Sequence, residues 1–524
     1  MSSIIRTSIY NTFRLFRSIV WYWLPFKFFL IIYFVLAYAD EIYDRCDEFS
    51  DQNSWLQIFE VLLVFKFLKV VTHTLAFLFY RPIPIPEHPT IKPGDVTVII
   101  PTVGAIDEPE FRETLNKILL NKPFEVIVVT VGAEKNRIAE WVCADEIAKV
   151  ADNTTQITII AIEEASKRKQ IFAGLQEVQT SIVALADDHV FWAPDYLKAA
   201  IAPFEDPSIG GVGTNKRVRR DKFEWSYANF LNFIACNYLE RHNFECTASV
   251  NIDHAVFVLS GRTVLYRTRA LKHPEFEKEY LRETWFYGLI GKEGFNVDDD
   301  NLLTRFLIGK AGYKFWFQNS PATTMYTTLG EPGKFFKQMD RWIRTTWRSN
   351  LTSLFSDQTP WRTQPWSVYA VYFSSFLNFA LFYDLALLVT LWLGLPGSLN
   401  IDQSASFRLR DCFDEYDISW YSPWGTNANA DWLATMKTYC APEVIDYNYE
   451  RMEFDTDKGR ALVILAIILL CSKLIKPFPH FWRNPKDILW IPGYVLFGYY
   501  HSFIKLKALL TVWVISWGTR AGVK

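Results

Sequence analysis

The sequence predicts an α/β domain embedded between transmembrane α-helices, and three observations predict it. Long apolar runs lie toward both ends of the 524 residues, at 19–39, 55–80, 366–394, 461–475 and 488–516, several of them near the ~20 residues that a bilayer core requires. Residues 91–365 contain no such run. That middle region instead alternates short Val- and Ile-rich segments with helix-compatible stretches, the pattern of a mostly parallel sheet with helices on both faces.

Composition narrows the class. Half of the chain is apolar, 17% is aromatic and 21% is charged, which excludes a disordered or collagen-like protein. Lys and Arg number 55 against 57 Asp and Glu, for a net charge of -2, so there is no basic field for nucleic acid. Seven Cys without a C-x-x-C pair exclude a thiolate zinc module or a disulfide scaffold. No internal repeat is present, which argues against a solenoid.

Residues 1–90 read as a membrane anchor with two helices. The run at 19–39 carries one charge, Lys27, and leads into Asp40 and Glu41 rather than a small-residue cleavage site, so it reads as an anchor and not as a signal peptide. The run at 55–80 contains Glu60, Lys66 and Lys69, charges that face a helix bundle or a polar passage unless the helix lies on the membrane surface. Arg6, Arg14 and Arg17 precede the first run, and the acidic segment 40–54 follows it. Basic residues stay on the cytoplasmic side. Both spans therefore return the chain to the cytoplasm, making the next domain cytoplasmic.

That domain, residues 91–335, has buried-strand signals at 95–101, 124–131, 157–162 and 181–186. Between them lie helix-compatible stretches such as 108–120 and 136–151. Parallel sheets bind ligands at the carboxyl ends of their strands. Asp187-Asp188-His189 follows the fourth strand signal, and an acid and an imidazole two residues apart on extended chain share a face, suited to a divalent cation between phosphates. An acidic turn after a strand is also commonly just solvated. Asp298-Asp299-Asp300 precedes a helix signal; helix capping explains one of these acids but does not require three. Crowded carboxylates raise one another's pKa, which suits a proton acceptor.

Residues 336–365 read as amphipathic interface helices. Gln338, Arg341 and Trp342 share a helical face, as do Arg344, Trp347 and Arg348. Such a helix could rest on the membrane, yet Trp offers a flat face to a sugar ring and Arg a fork to a phosphate. Residues 366–524 form a C-terminal membrane region with an insert at 398–459 that holds 12 acidic residues against five basic ones and reads as extracytoplasmic. Cys412 and Cys440 lie in it, and an oxidising compartment would permit a disulfide between them. The run at 488–516 is interrupted by His501, Lys505 and Lys507 and reads as a hairpin or re-entrant segment turning there.

Taken in order, these residues resemble the family-2 membrane glycosyltransferases, the processive polymerases that include hyaluronan, cellulose and chitin synthases. Lys167-Arg168 looks like the basic pair before the metal strand, and Asp187-Asp188-His189 stands at the family's D-x-D. Ser260-Gly261 with Tyr266-Arg267 resembles the priming loop, and Asp299-Asp300 aligns with the acidic pair that supplies the base. Gln338 to Trp342 matches Q-x-x-R-W, and Trp517-Gly518-Thr519-Arg520 matches the W-G-T-R of hyaluronan synthases. The resemblance covers about residues 95–350 and the extreme C-terminus. It implies a GT-A-like fold, a nucleotide-sugar donor (UDP-sugar foremost) and a growing glycan acceptor. The implied roles are Asp300 as base beside Asp299, and Asp187 with His189 as ligands of Mn2+ or Mg2+. Lys167, Arg168, Asp187, Asp188, Arg341, Trp517 and Arg520 would bind the donor; Trp342, Gln338, Ser260, Gly261, Tyr266 and Arg267 would meet the acceptor.

Three positions depart from the family pattern. Thr130-Val131-Gly132-Ala133 replaces the usual D-D-G, so the carboxylate near the base of the nucleotide is missing. His189 replaces the second Asp of D-x-D, which favours manganese over magnesium. Arg262 stands where the priming loop carries Pro. The expected function is inverting, processive sugar transfer coupled to export, in a multi-pass protein of the plasma membrane. Two alternatives are a non-processive enzyme acting on a lipid acceptor and a nucleotide-binding transporter or scaffold.

Overall fold

The computed structural model describes residues 53–395 and 442–515, except 105, 151–153, 287 and 296, with the backbone only at 442–457. The expected first span at 19–39, the Cys412 and Cys440 pair, Trp517 and Arg520 lie outside the described residues. Those residues divide into two compact units, 53–68 with 383–395 and 442–472, and 69–382 with 473–515.

Helix α1 (Ser54–Phe79) is, among the described residues, the one helix that is by itself long and apolar enough to cross a membrane. Val61, Val64 and Val71 along it are each more than half exposed, whereas the core helix of a soluble protein buries such residues.

The larger unit is built on a seven-stranded mixed sheet in the order β3-β2-β1-β4-β8-β6-β9. Its first part is a right-reading alternation: β1 (Val96–Pro101), α2 (Pro109–Leu119), β2 (Glu125–Val131), α3 (Ala133–Lys149), β3 (Gln156–Ile162), α4 (Lys167–Glu177) and β4 (Ile182–Ala186). These four strands pair in parallel, and each begins and ends within one residue of its sequence signal. The central ones are continuous apolar runs because both faces are covered: all of β1 is buried, as is every residue of β4, while the edge strand β3 is half-exposed. Helix α4 packs closely on β1 and β2 at Gly174, where an added Cβ would lie 2.9 Å from Ile99 Cγ2 and 3.2 Å from Val129 Cγ2. The helix begins at Lys167, after Ser166, whose side chain caps it by accepting from Lys169 N–H.

Beyond β4 come β5 (Val190–Phe191), β6 (Ile209–Thr214), β7 (Lys216–Val218), the long helix α5 (Tyr227–Asp253) and β8 (Thr263–Arg267). Strand β8 runs antiparallel to both β4 and β6. Helix α6 (Asp299–Gly309), β9 (Lys314–Gln318), β10 (Met325–Thr327) and helix α7 (Phe335–Leu351) complete this part, with β5, β10 and β7 forming a small second sheet. Three of the seven main strands, β6, β8 and β9, lie beyond the four strand signals.

After α7 the chain breaks into short turns. Residues 366–394 are not one straight span: the helical segments Pro365–Leu377 and Ala380–Gly394 meet at 88°. In the smaller unit, α8 (Ala380–Gly394) and α9 (Pro442–Leu474) bury Leu387, Leu391, Leu465 and Leu469 against Leu56, Phe59 and Leu62. Lys66 pairs with Asp384 there, so a charge within the second apolar run meets a charge of opposite sign rather than lipid. Helix α10 (Ile491–Leu509) overturns the expected hairpin: it runs unbroken through His501 to Lys507. Its lysines find partners while the helix continues, Lys507 donating to Asp340 at 2.6 Å and Lys505 to the carbonyl of Asn378 at 3.1 Å, so no turn is needed to release them.

Candidate active site

The carboxyl end of β4 sets the site. Asp187, Asp188 and His189 leave the sheet there, and because β8 is antiparallel, its beginning lies beside the end of β4: Ala186 pairs with Thr263, and Asp187 N–H donates to the carbonyl of Arg262 at 2.8 Å. The loop Ser260 to Arg262 is thereby brought against the acidic turn. The same topology carries Tyr266 and Arg267 away, since Arg267 pairs with Ile182 at the far end of β4. Tyr266 is fully buried in the sheet, and Arg267 donates to the carbonyls of Phe204, Ile209 and Asp206. Neither lines the cavity, so the expectation that they meet the acceptor is corrected; they brace the sheet.

The basic pair also divides. Lys167 Nζ reaches into the cavity, 2.9 Å from Asp187 and 3.5 Å from Asp299. Although burial opposes its charge, these carboxylates raise its pKa. Arg168, one residue on, points into the core. It is 1% exposed and donates to the carbonyls of Tyr280 (2.7 Å) and Val297 (2.6 and 3.0 Å) and to Glu283. Successive residues at a helix start face different sides. Arg168 therefore holds the chain leading into the acidic triplet rather than the nucleotide.

The triplet itself splits into three roles. Asp298, at φ 63° just before α6, accepts from Arg348 Nε and Nη2 at 2.9 and 2.7 Å and from Thr345, tying the loop to α7. Asp299 faces Lys167. Asp300 accepts from Gly261 N–H at 3.2 Å and from Asn301 at 3.1 Å. Burial, then the neighbouring Asp299 charge, raises the Asp300 pKa, with Lys167 and the Gly261 N–H opposing. A carboxylate so placed is a stronger proton acceptor than a solvated one.

Lys167, the acidic turn after β4, the Ser260 to Arg262 loop and the acidic triplet open onto one cavity of about 710 Å³. Its walls include Lys167, Asp187, Asp188, His189, Ser260, Gly261, Asp299 and Asp300, and, from α7, Gln338, Arg341 and Trp342. Trp342 stacks on Tyr238 with centroids 5.4 Å apart, and the Arg262 guanidinium lies 5.2 Å from its ring centre. It enters the cavity as part of an aromatic and cationic stack rather than as a bare platform. Arg344, Trp347 and Arg348 turn elsewhere: Arg344 donates to Thr511 at 3.0 Å, Trp347 stacks on Phe376, and Arg348 binds the Val512 carbonyl at 2.6 Å. Lining residues without a sequence motif are Lys135, Lys216, Tyr238, His242 and Arg262. Of these only Arg262 had a signal, its departure from the family's Pro.

A cation fits part of this wall. Asp187 and His189 both face the cavity, and a carboxylate with an imidazole is a donor set that manganese accepts. Asp188 is engaged otherwise, accepting from Thr102 at 2.8 Å and lying 2.9 Å from His189 Nδ1. Burial opposes a charged His189, but the hydrogen bond to Asp188 and the Asp187 charge raise its pKa overall. Among the described residues no cluster of three or more His, Cys, Asp or Glu is arranged to hold a metal.

A mixed sheet opening at the ends of β1 and β4 onto an acidic, cationic and aromatic cavity defines a GT-A-like nucleotide-sugar transferase. The family model described as "Glycosyltransferase like family 2" matches residues 93–345. The chain is 33% identical over 478 residues to a type 2 glycosyltransferase of Gibberella zeae, covering 91% of this chain and 77% of that protein. It is 32% identical over 466 residues to one of Pyricularia oryzae, with 89% and 82% covered. This protein belongs to the family-2 glycosyltransferases and is an enzyme that transfers sugar from a nucleotide donor. Among solved structures, a mannosyltransferase of Pyrobaculum calidifontis in complex with GDP-Man and Mn2+ is similar at 17% identity and a TM-score of 0.43, over 76% of this chain and 99% of that one.

Proposed function

We propose that this enzyme is an inverting, processive polysaccharide synthase that uses a UDP-sugar and exports its product through the membrane. The observation that carries the reading is the position of Asp300: a buried carboxylate of raised pKa in the same cavity as the Lys167 and Asp187 pair and the Gln338, Arg341 and Trp342 face of α7. In this reading the acceptor hydroxyl lies against Asp300, its oxygen attacks the anomeric carbon, the bond to the diphosphate breaks, and Asp300 takes the proton. Asp299 and Lys167 hold the charge balance around that base. Arg341 faces the diphosphate, and Gln338 with the Trp342 stack orients the acceptor.

Asp187 and His189 would hold Mn2+, or Mg2+ less well, whose chemistry when bound is neutralisation of the leaving diphosphate. The Ser260 and Gly261 backbone would set the height of the acceptor over Asp300. Arg520 and Trp517 would close the donor end, as the resemblance implies. Helix α1 is long, apolar and exposed enough to cross a membrane, and in this reading the protein is multi-pass, of the plasma membrane, with the catalytic unit in the cytoplasm.

The test is incubation of the purified protein in lipid with radiolabelled UDP- and GDP-sugars, with product sizing after digestion by specific glycosidases. Long product made from a UDP-sugar supports the reading. A single sugar transferred to lipid, or donor specificity for GDP-sugars, replaces it.

A further inference from the structure

Glu283 belongs to no sequence motif and does not line the cavity, yet its side chain joins the two helices that deliver the reacting groups. One carboxylate oxygen, Oε2, accepts from Arg168 Nη2, and the other, Oε1, accepts from Arg305 Nη2. Arg168 directly follows Lys167 at the start of α4, and Arg305 lies on α6, the helix that begins with Asp299 and Asp300. The side chains of Glu283 and Arg305 are 12% and 13% exposed, and that of Arg168 is 1% exposed. Pairs this enclosed keep their geometry, because breaking either half leaves a buried charge without its partner.

The clamp closes directly behind the site. Phe295 N–H donates to the Glu283 carbonyl at 3.1 Å, which closes residues 283–295 into a loop, and Arg168 binds the Val297 carbonyl where the chain leaves that loop for the acidic triplet. On the cavity side the first residues of the same two helices, Lys167 and Asp299, face each other at 3.5 Å. Gly261 fits beside them without slack: a Cβ there would lie 3.0 Å from Lys167 Nζ and 3.3 Å from Asp299 Oδ2. Any change in the spacing of α4 and α6 therefore alters the Lys167 to Asp299 distance and the Gly261 contact with Asp300. The other charges facing the clamp are Asp357 in the turn after α7, 3.7 Å from Arg305 Nε, and Glu279, which has Lys310 at 3.4 Å.

We infer that Glu283 is a positioning residue for sugar transfer: by spanning Arg168 and Arg305 it sets the spacing of α4 and α6 and holds Lys167 in register with the acidic pair. This deepens the proposed function and rests on its reading of Asp300 as the base. Both the length and the charge of Glu283 matter. A side chain that reaches only one guanidinium leaves the other helix unpinned. A neutral side chain leaves Arg168 without its anion, and the Arg168 charge already acts on Asp299.

The experiment compares Glu283→Gln, which keeps the length and loses the charge, with Glu283→Asp, which keeps the charge and is one methylene short. Both are made in the full-length enzyme in lipid, with radiolabelled UDP-sugar as donor and rates expressed per donor-binding site, so that unfolded protein does not count. In both variants kcat should fall about tenfold or more, as for slightly displaced reacting groups, while the donor KM stays near the parent value. The acid limb of the kcat profile separates charge from length. In Glu283→Gln it should move to lower pH by about half a unit, because the unpaired Arg168 charge favours ionised carboxylates nearby; in Glu283→Asp it should keep its parental position. A Glu283→Gln variant that unfolds at lower temperature but keeps the parental kcat per site and the parental acid limb would overturn the inference, since Glu283 would then only hold the fold. Parental kcat in Glu283→Asp, which retains an anion for the buried arginines and so does not depend on tolerance of the amide, would overturn it as well. An acid limb that persists in Asp300→Asn would instead strike the proposed function, and this inference with it.

Discussion

Replacing Asp300 by Asn removes the proton acceptor and little else. The amide keeps an oxygen for the Gly261 N–H, so the contact at 3.2 Å that ties the loop to α6 survives. What is lost is general base catalysis, ~100- to ~10,000-fold in rate, which is about 3 to 5 kcal/mol of barrier at 1.36 kcal/mol per decade. Stability should move in the opposite direction. The Asp300 pKa is raised by burial and by Asp299, so the native state holds its proton more tightly than the unfolded chain, and stability declines as pH rises from the unfolded pKa through the folded one. At neutral pH the parent therefore bears the cost of an ionised Asp300 beside Asp299, and the Asn variant should unfold at the same or a higher temperature. In the parent, the acid limb of the pH profile for kcat should lie above the ordinary Asp range, and it should vanish from the residual activity of the variant. Single-turnover sugar transfer, donor affinity and thermal unfolding measured on one preparation check all three. A variant with near-parental kcat, or one whose lost activity is accompanied by a lowered melting temperature, would refute the assignment of Asp300 as the base.

Three further outcomes are expected. Arg348→Met strands the buried Asp298 carboxylate, whose partner side chain is 3% exposed, and should cost about 3 to 5 kcal/mol in denaturant unfolding; an unchanged midpoint would show that the pair does not hold the loop. Activity should need added divalent cation with manganese preferred, and His189→Asp should shift that preference toward magnesium, read as the ratio of initial rates after chelation and refilling; an unaltered ratio means His189 is not a ligand. Gly174→Val should destabilise the sheet by about 1 to 3 kcal/mol through overpacking against Ile99 and Val129, seen as a lower unfolding midpoint, and a neutral effect would mean that α4 can lift from β1 and β2.

Legibility in the sequence followed packing. Strands β1, β2 and β4 were readable because both faces of each are covered, so they are apolar runs between polar stretches, and the edge strand β3, half-exposed, kept the same Ile-rich run. Strand β6 was hidden by its glycines: Ile209–Thr214 contains three, and each is there because a neighbour fills its Cβ space, Tyr313 over Gly210, Phe315 over Gly211 and Leu259 over Gly213. Viewed as sequence, the segment looks like a loop. Short motifs located Asp187, Asp299, Asp300, Gln338 and Trp342 in one cavity, yet they misplaced Arg168, Tyr266 and Arg267. Adjacency in the chain does not fix side-chain direction, and the antiparallel course of β8, which carries Tyr266 and Arg267 to the far end of the sheet, has no local signal. Lys216, Tyr238 and His242 were silent for a related reason. They come from β7 and α5, and only tertiary packing joins them to the priming loop.

The three consecutive acids show how one short segment can couple distant elements. Asp298 is bound by Thr345 and Arg348 of α7, and Arg348 in turn binds the Val512 carbonyl just past α10. Two residues later, Asp300 is bound by the loop that carries Arg262. A shift of α7 on acceptor seating at Trp342 would reach Asp298 through a buried ion pair, and the base through two peptide units at the start of α6. The chain just past α10 is held by the same arginine through the Val512 carbonyl. Measured coupling supplies the criterion: in a double-mutant cycle of Arg348→Lys and Trp342→Phe, non-additive effects on kcat would support that link, and strict additivity would confine Arg348 to holding the loop.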